Sequence, residues 1–347
     1  MPYYAGLKRI ANAQKRKRTV AGLTRLRAGL AQAIPARTAT DTLLLATWNI
    51  REFDSGKYGY RDDESYYYIA EILSRFDIIA IQEVRDSLYP LGRLKELLGS
   101  WWDYLVTDIT LGDSGNSERM AYLYDTRKVN FTGLAAELVL PKKRGDENPP
   151  LQLARSPYIA GFRAGWAYLT LATVHIYYGK TVAVDERRLQ EITALGKTLA
   201  EQASRLSVAK QYAPDAAPAP SNLIALGDFN IFNTNDVTMT ALREAGFQVP
   251  EALKELPGSN VDKNKHYDQI AYHRDLVRLK PSGKAGVFDF YQHVYRIDDD
   301  EEEYAQDRAE KPGQSFKEWR TYRMSDHLPM WVEFGIDDTD GYLASLD

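Results

Sequence analysis

Acidic, amide and imidazole side chains recur in this sequence at the ends of apolar runs. The positions are Asn49, Glu83, His175, Asp228, Asn230 and the pair Asp326-His327. Taken singly, each of them is more typical of a turn or of a satisfied structural residue. Ligand sites of α/β sheets gather at strand ends, where short loops aim side chains, so the joint arrangement predicts one shared site.

Three of these residues carry the oxygen atoms that a hard cation requires. The carboxylates of Glu83 and Asp326 and the amide of Asn49 could hold the ion and leave positions open for water and a substrate phosphate. The sequence has no cysteine, so a thiolate metal site is excluded. The expected ion is Mg²⁺, with Mn²⁺ and Ca²⁺ as alternatives, and its charge would stabilise the phosphoryl oxygens in the transition state.

Other residues of the set could supply the proton transfer and hydrogen bonds of phosphate ester hydrolysis. His327 is the candidate general base, because imidazole titrates near neutral pH. Asp268 is the candidate carboxylate on the other ring nitrogen, where it would orient the ring and stabilise its protonated form. His175 and Asn230 are expected to donate hydrogen bonds to the non-bridging phosphate oxygens.

The elements that must position these residues are predicted from apolar runs at 43–48, 78–81, 120–124, 167–174, 223–226, 269–272 and 330–334. Short runs of continuous apolarity suit central strands that are covered on both faces. Helical spacing at 65–75 and 186–206 interleaves with the strands, which indicates a layered α/β core. The aromatic run at 66–68 lies in the first of these helices and is expected to pack in the core rather than to stack on bases.

The chain has 347 residues, of which 44% are apolar, enough for one large core. We expect a catalytic domain over residues 41–347, preceded by a basic N-terminal extension over residues 1–40. The extension holds nine lysines and arginines and no acid, so the net charge of −4 divides into +9 and −13. Such an arm can attract nucleic acid or lipid headgroups, or it can be a solvated, partly helical tail. Six consecutive acids at 298–303 predict an exposed loop or a helix start.

No apolar run approaches the roughly 18 residues that a membrane span requires. The N-terminal residues lack the compact apolar stretch of a secretory signal. We therefore expect no transmembrane segment and a cytoplasmic location, with secretion left open. We expect a monomer and no protein partner.

Five ordered segments resemble the motifs of the endonuclease/exonuclease/phosphatase superfamily: 47–50 (TWNI), 81–84 (IQEV), 227–230 (GDFN), 267–270 (YDQI) and 325–329 (SDHLP). The resemblance spans about residues 42–336. It implies an α/β fold, a four-layered α/β sandwich with two central β-sheets flanked by helices. It also implies metal-site positions at Asn49, Glu83 and Asp326, a phosphate-stabilising pair at Asp228 and Asn230, and a general-base dyad of Asp268 with His327. His175 falls on the second catalytic histidine, and Asp228 is the alternative residue for activating water.

Within that superfamily, segments 82–87, 115–119, 155–157 and 288–290 are most similar to deoxyribonuclease I. That similarity implies that Arg85 and Arg155 contact DNA phosphates or the minor groove, and that Glu118 pairs with His175 to orient it. The chain departs from that branch in having no cysteine for disulfides, Asn116-Ser117 in place of a groove-reading tyrosine, and a charged insertion over about residues 298–323.

The function that these features predict is a divalent-metal-dependent phosphodiesterase, with DNA as the expected partner and endonucleolytic cleavage by water attack on phosphorus. The alternative is a phosphatase or phosphodiesterase of a small-molecule or lipid phosphate, of the inositol phosphate or sphingomyelinase type, because one fold can serve several substrates. A binding protein without catalysis would lack active-site residues, and every motif position here is filled.

Overall fold

The computed structural model describes residues 2–53, 55–111, 115–141, 152–203, 221–309 and 313–346. Its strands are β1 (Thr42–Phe53), β2 (Ile78–Val84), β3 (Trp102–Val106), β4 (Arg119–Asp125), β5 (Val129–Glu137), β6 (Tyr158–Ala164), β7 (Ala167–His175), β8 (Asn222–Asp228), β9 (Phe247–Gln248), β10 (Asp268–His273), β11 (Lys280–Val287) and β12 (Met330–Gly335). They form two six-stranded sheets. The first has the order β11-β12-β1-β2-β4-β3, and the second has the order β5-β6-β7-β8-β10-β9.

The α-helices of the described residues are α1 (Ala13–Ala33), α2 (Asp63–Leu73), α3 (Tyr89–Leu98), α4 (Glu186–Gln202), α5 (Val237–Glu244), α6 (Ile297–Asp300), α7 (Ala305–Arg308), α8 (Phe316–Arg323) and α9 (Thr339–Ala344). Short 3-10 helices span Tyr4–Arg9, Gly56–Tyr58, Glu251–Leu253, Phe290–Gln292 and Glu301–Tyr304. One core cluster joins α1, α2, α3 and α8 to the first sheet, and another joins the two sheets to each other and to α4 and α5. The predicted four-layered α/β sandwich is therefore confirmed.

Strand β1 shows why the central strands have continuous apolar sequences. Leu43 and Leu45 lie in the core that the two sheets share, whereas Leu44, Ala46 and Trp48 lie in the core under the helices. All five are fully or almost fully buried, so neither face of the strand needs polar residues.

The pairing of five strands brings the polar residues to one edge. β1 runs parallel to β2 with Asn49 opposite Gln82, and β7 runs parallel to β8 with His175 opposite Asp228. β10 runs antiparallel to β8, and its first residue, Asp268, lies opposite Asp228. The end of β8 and the start of β10 therefore meet where β7 ends.

The basic extension is helical, as one alternative expected, but it is packed rather than solvated. Leu23, Leu26 and Leu30 of α1 are buried in the core under the first sheet. The guanidinium of Arg18 is also buried, and its Nη2 lies 2.7 Å from Oε2 of Glu64 in α2. Among the described residues, α1 shares one core cluster with the first sheet, and the domain boundary at residue 40 stays a prediction.

Two smaller expectations are also settled by the structure. The acids at 298–303 begin α6 and the following 3-10 helix, as expected for a helix start, and Asp300 among them is buried. Tyr66, Tyr67 and Tyr68 are almost completely buried, which confirms core packing.

Over the described ranges, none of the helices has both the length and the apolar character needed to cross a bilayer.

Candidate active site

A polar cleft of about 340 Å³ opens at the edge where β1, β2, β7 and β8 approach their carboxyl ends. Its lining consists of Arg51, Glu52, Glu83, Arg85, Asn116, Glu118, Arg155, His175, Tyr178, Asp228, Asn230, Tyr267, Asp326 and His327. Nine of the eleven site residues expected from the sequence are in this lining. The other two, Asn49 and Asp268, lie directly behind it, each within hydrogen-bond distance of a lining residue.

The carboxylate of Asp228 stands between the two catalytic histidine candidates. Its Oδ2 atom lies 3.5 Å from Nε2 of His175 and 3.6 Å from Nε2 of His327. The side-chain amide of Asn49 donates to the same oxygen at 3.0 Å, and the backbone N–H of Asn230 donates to Oδ1 at 2.9 Å. Asp228 is thus fixed by hydrogen bonds, with one oxygen facing both imidazoles.

His327 is paired with the carboxylate that the sequence suggested. Its Nδ1 atom lies 2.8 Å from Oδ2 of Asp268, whose backbone N–H donates to Oγ of Ser259 at 2.9 Å. Burial alone would lower the pKa of His327, but the negative charges of Asp268 and Asp228 raise that pKa well above its usual range. The pair therefore stabilises a protonated imidazole and leaves Nε2 facing the cleft.

His175 has a carboxylate partner of its own in Glu118. The Nδ1 atom of His175 lies 2.8 Å from Oε2 of Glu118, and Nε of Arg155 lies 2.6 Å from the same oxygen. Burial alone would raise the pKa of Glu118, but His175 and Arg155 hold that pKa far below its usual range. Glu118 is therefore ionised at neutral pH, in the position expected for orienting His175.

Arg85 and Arg155, the expected substrate-binding residues, both line the cleft. Nη2 of Arg85 lies 2.5 Å from Oε1 of Glu52, and its Nη1 donates a short hydrogen bond to the backbone carbonyl of Asn116. Arg155 is buried against Glu118. The structure places both cations at the cleft wall, and their contact with a phosphate stays a prediction.

Of the three residues expected to bind metal, Glu83 and Asp326 line the cleft and Asn49 lies behind Glu83. The amide of Asn49 donates to Oε1 of Glu83 at 2.9 Å, and the backbone N–H of Glu52 donates to Oε2 of Glu83 at 2.7 Å. Burial, together with the charges of Glu118 and Asp326, raises the pKa of Glu83. Oδ1 of Asn49 is buried and has no hydrogen-bond partner.

These donors fit a hard cation, because they are oxygen atoms in a place where negative charge is in excess. Within the described residues, no three or more His, Asp or Glu side chains are arranged to surround a metal ion. The donors therefore suit an ion that keeps most of its water, as Mg²⁺ does when one or two carboxylates and a substrate phosphate bind it.

The backbone of the site contains residues in the left-handed region, which is uncommon for residues other than glycine. The φ angles are 47° at Glu52, 61° at Glu83 and 53° at Asn230. Conformations of this kind persist only where the surrounding structure enforces them, and they cluster at ligand sites. Here they turn the side chains of Glu83 and Asn230 into the same cleft.

Five lining residues had no role assigned from the sequence: Arg51, Glu52, Asn116, Tyr178 and Tyr267. Arg51 and Glu52 directly follow the motif at 47–50. Their closeness to Asn49 in the sequence could therefore have indicated a place in the site. Arg51 is held by the charged insertion, because it donates to Oγ1 of Thr321 at 2.5 Å and to the hydroxyl of Tyr322 at 2.8 Å. For Tyr178, the sequence carried no comparable signal.

A family model described as the Endonuclease/Exonuclease/phosphatase family matches residues 46–248, more than half of the chain. The chain belongs to this family. It is therefore a hydrolase of the phosphoesterase type that the family contains.

Two curated relatives of this chain carry nuclease names. A deoxyribonuclease of Thioalkalivibrio sp. (strain K90mix) is 29% identical over 311 residues, which cover 87% of this chain and 73% of that protein. Deoxyribonuclease-1 of Bos taurus is 36% identical over 94 residues, which cover 26% of this chain and 32% of that protein.

Solved structures of the family share the fold with this chain. A family member from Bacteroides thetaiotaomicron has a TM-score of 0.52 at 17% identity and covers 85% of this chain and 98% of its own. The human nocturnin catalytic domain with bound sulfate also has a TM-score of 0.52, at 16% identity, and covers 84% of this chain and 94% of its own. At these identities, the likeness concerns the fold alone.

Proposed function

We propose that this protein is a divalent-metal-dependent nuclease that cleaves DNA internally by water attack on phosphorus. The observation that carries the proposal is the position of Asp228, with one carboxylate oxygen 3.5 Å from His175 and 3.6 Å from His327. Each of these imidazoles is held from behind by a separate carboxylate. Two oriented imidazoles and a fixed carboxylate around one point suit a reaction that moves a proton while charge builds on phosphoryl oxygens.

In the proposed reaction, Nε2 of His327 takes a proton from the attacking water, and Asp268 stabilises the resulting imidazolium. The new P–O bond forms as the bond to the leaving nucleoside oxygen breaks on the opposite side, which inverts phosphorus. The leaving oxygen takes its proton from solvent. His175 and Asn230 donate hydrogen bonds to the non-bridging oxygens, and Asp228 is the alternative base.

Glu83, Asp326 and Oδ1 of Asn49 are the residues proposed to hold Mg²⁺, with Mn²⁺ and Ca²⁺ as alternatives. When bound, the ion would neutralise the charge that develops on the phosphoryl oxygens. Burial lowers the pKa of His327, whereas the charges of Asp268, Asp228 and, more weakly, Asp326 raise it. Positive charge near Asp326 therefore favours the unprotonated form of His327 that a base requires.

DNA is the proposed substrate because the cleft places three arginines around the site and because the curated relatives are named as deoxyribonucleases. Arg51, Arg85 and Arg155 surround the catalytic candidates, and arginine suits the planar geometry of phosphate oxygens.

A substrate panel tests the proposal. The purified protein is incubated with plasmid DNA, RNA, inositol phosphates and sphingomyelin, each with Mg²⁺ and with chelator. We expect nicking of plasmid that chelator abolishes. Turnover of an inositol phosphate or sphingomyelin with intact plasmid would replace DNA by the alternative substrate class, and no turnover of any ester would refute the enzyme proposal.

A further inference from the structure

An aromatic surface leads from the catalytic histidine to solvent. The ring of Tyr267 packs over His327 at a centroid distance of 5.5 Å. Tyr178 lies 6.0 Å from Tyr267 and 6.1 Å from Phe232, which in turn lies 5.4 Å from Tyr267. We call Tyr178, Phe232 and Tyr267 the aromatic wall. Its outermost member, Tyr178, lines the cleft and is 36% exposed.

The loop that carries Tyr178, residues 177–185, is held by a buried arginine. The guanidinium of Arg188 donates to the backbone carbonyls of Tyr178 at 2.7 Å, Val182 at 2.5 Å and Ala183 at 3.0 Å. The side chain of Asp185 accepts from the backbone N–H of Lys180 and caps α4 through the N–H of Arg188. A loop backbone fixed in this way lowers the ordering cost of binding.

Two positively charged side chains contact the aromatic wall. Nζ of Lys265 lies 4.4 Å from the ring centroid of Phe232, and the guanidinium of Arg188 lies 4.6 Å from the same centroid. Phe232 and Arg188 are buried, so these cations stabilise the wall from within, and the ring left open to a ligand is that of Tyr178. An exposed, fixed aromatic ring suits stacking on a flat heterocycle. In a nucleic acid, that ligand is the base of the nucleotide next to the scissile phosphate.

We propose that Tyr178 stacks on the base of a nucleotide flanking the scissile phosphate, and that Arg188 is a positioning residue that holds Tyr178 in place. The inference rests on the proposed nuclease function and specifies its substrate. A base that stacks on Tyr178 must leave its duplex stack on one side, so the proposal predicts that single-stranded DNA is cleaved.

The test uses a short single-stranded oligodeoxynucleotide with one phosphodiester among phosphorothioate linkages, so that one bond is hydrolysed rapidly. Two further substrates lack the base of the nucleotide on the 5′ side or on the 3′ side. For the wild type, we expect removal of the base on one side to lower kcat/KM by about tenfold, the size expected for losing a base–aromatic stack. Tyr178→Ala should show the same loss on the intact substrate and no further loss when that base is absent.

This coupling between base and ring separates stacking from a structural role. Tyr178→Phe should keep the wild-type preference, because it keeps the ring. Arg188→Lys should weaken the preference, because an ammonium cannot span the three carbonyls that the guanidinium reaches. Tyr342→Ala is the matched control, since Tyr342 is 39% exposed and packs on Trp166, beside the start of β7 and far from His175.

A base effect that persists in Tyr178→Ala, or wild-type kcat/KM in that variant, would overturn the inference while leaving the nuclease proposal intact. Cleavage of plasmid without cleavage of any single strand would also overturn it. A wild-type protein that cleaves neither plasmid nor oligonucleotide would refute the nuclease proposal, and the inference would fall with it.

Discussion

The carboxylate of Asp268 and the imidazole of His327 lie 2.8 Å apart, although 59 positions separate the two residues along the chain. Ser259 forms hydrogen bonds with the segments that carry both residues. The backbone N–H of Asp268 donates to the side chain of Ser259, and the backbone N–H of Leu328 donates to the carbonyl of Ser259. One buried serine therefore sets the relative position of the two members of the proposed general-base pair.

Asp268→Asn should change the pH dependence of the reaction. A general base works unprotonated, so activity falls as pH drops through the pKa of His327. Because that pKa is raised, the wild-type acid limb should lie above the value of about 6.5 for free histidine. Removing the charge of Asp268 lowers the pKa of His327, so the limb should move to lower pH. The plateau rate should fall by a factor on the order of a hundred.

The measurement is kcat/KM against pH for wild type and Asp268→Asn. Asp262→Asn is the control, because this acid is half exposed and pairs with Lys317 rather than with His327. If the acid limb of the pH profile stays in place in Asp268→Asn, Asp268 does not control the pKa of the general base.

Glu118→Gln should lower kcat more than it changes KM. A glutamine keeps the shape of Glu118 but not the charge that pairs with His175 and Arg155. We expect kcat to fall by about ten- to a hundredfold, because His175 loses its orientation and Arg155 loses its partner. Steady-state kinetics on plasmid or oligonucleotide measure the effect. Glu96→Gln, at an exposed position on α3, should match wild type, and a wild-type kcat for Glu118→Gln would show that His175 needs no carboxylate.

Glu83→Gln should raise the Mg²⁺ concentration needed for half-maximal activity by about tenfold or more. The change removes one of two carboxylates offered to the ion and leaves the hydrogen bond from Asn49 available. Activity is titrated with Mg²⁺ after treatment with chelator, and binding of the ion alone is followed by calorimetry. The same half-maximal concentration in both proteins would rule out Glu83 as a ligand.

Arg18→Ala should destabilise the protein by about 3–5 kcal/mol, the range for breaking a buried ion pair. The guanidinium lies 2.7 Å from Glu64 and 2.9 Å from Asp307, and it covers the ring of Tyr304 at 3.8 Å. Denaturant unfolding gives the free energy. Lys17→Ala is the control, because Lys17 is exposed on the same helix and its loss should cost little. Equal stability of Arg18→Ala and wild type would show that the buried ion pair with Glu64 adds nothing to the stability of the fold.

The packing of α1 also decides how attraction of DNA by the basic extension can be tested. Deleting residues 1–40 would remove a helix of the core, so a loss of activity could not be attributed to lost charge. Lys8, Arg9 and Lys17 are exposed, and their combined change to alanine keeps the helix. The salt dependence of cleavage then reports on the arm alone.

The central strands and the site could be predicted because their signals lie within short segments. A strand buried on both faces produces an apolar run, as in β1 and β8, and motif residues stand at its end. All seven predicted strands are present. The helix predicted at 186–206 begins at Glu186 and extends to Gln202, and its last predicted residues lie outside the described ranges.

The remaining elements gave no such signal. β11, over Lys280–Val287, forms the edge of the first sheet, and its first five residues are exposed, so no apolar run marks it. The packing of α1 depends on ion pairs with acids such as Glu64 and Asp307, which are far away in the sequence. Tyr178 owes its place in the cleft to Arg188 and to the rings around it, which only the folded chain brings together.

The most direct test of the central claim is the initial rate of plasmid nicking in Mg²⁺ by wild type and by His327→Ala. If Asp228, the two imidazoles and a bound cation act together on phosphorus, the variant should be slower by a factor on the order of a hundred or more, with its fold unchanged by circular dichroism. A variant that nicks plasmid at the wild-type rate would contradict the account, because the imidazole at the centre of the cleft would then take no part in the reaction.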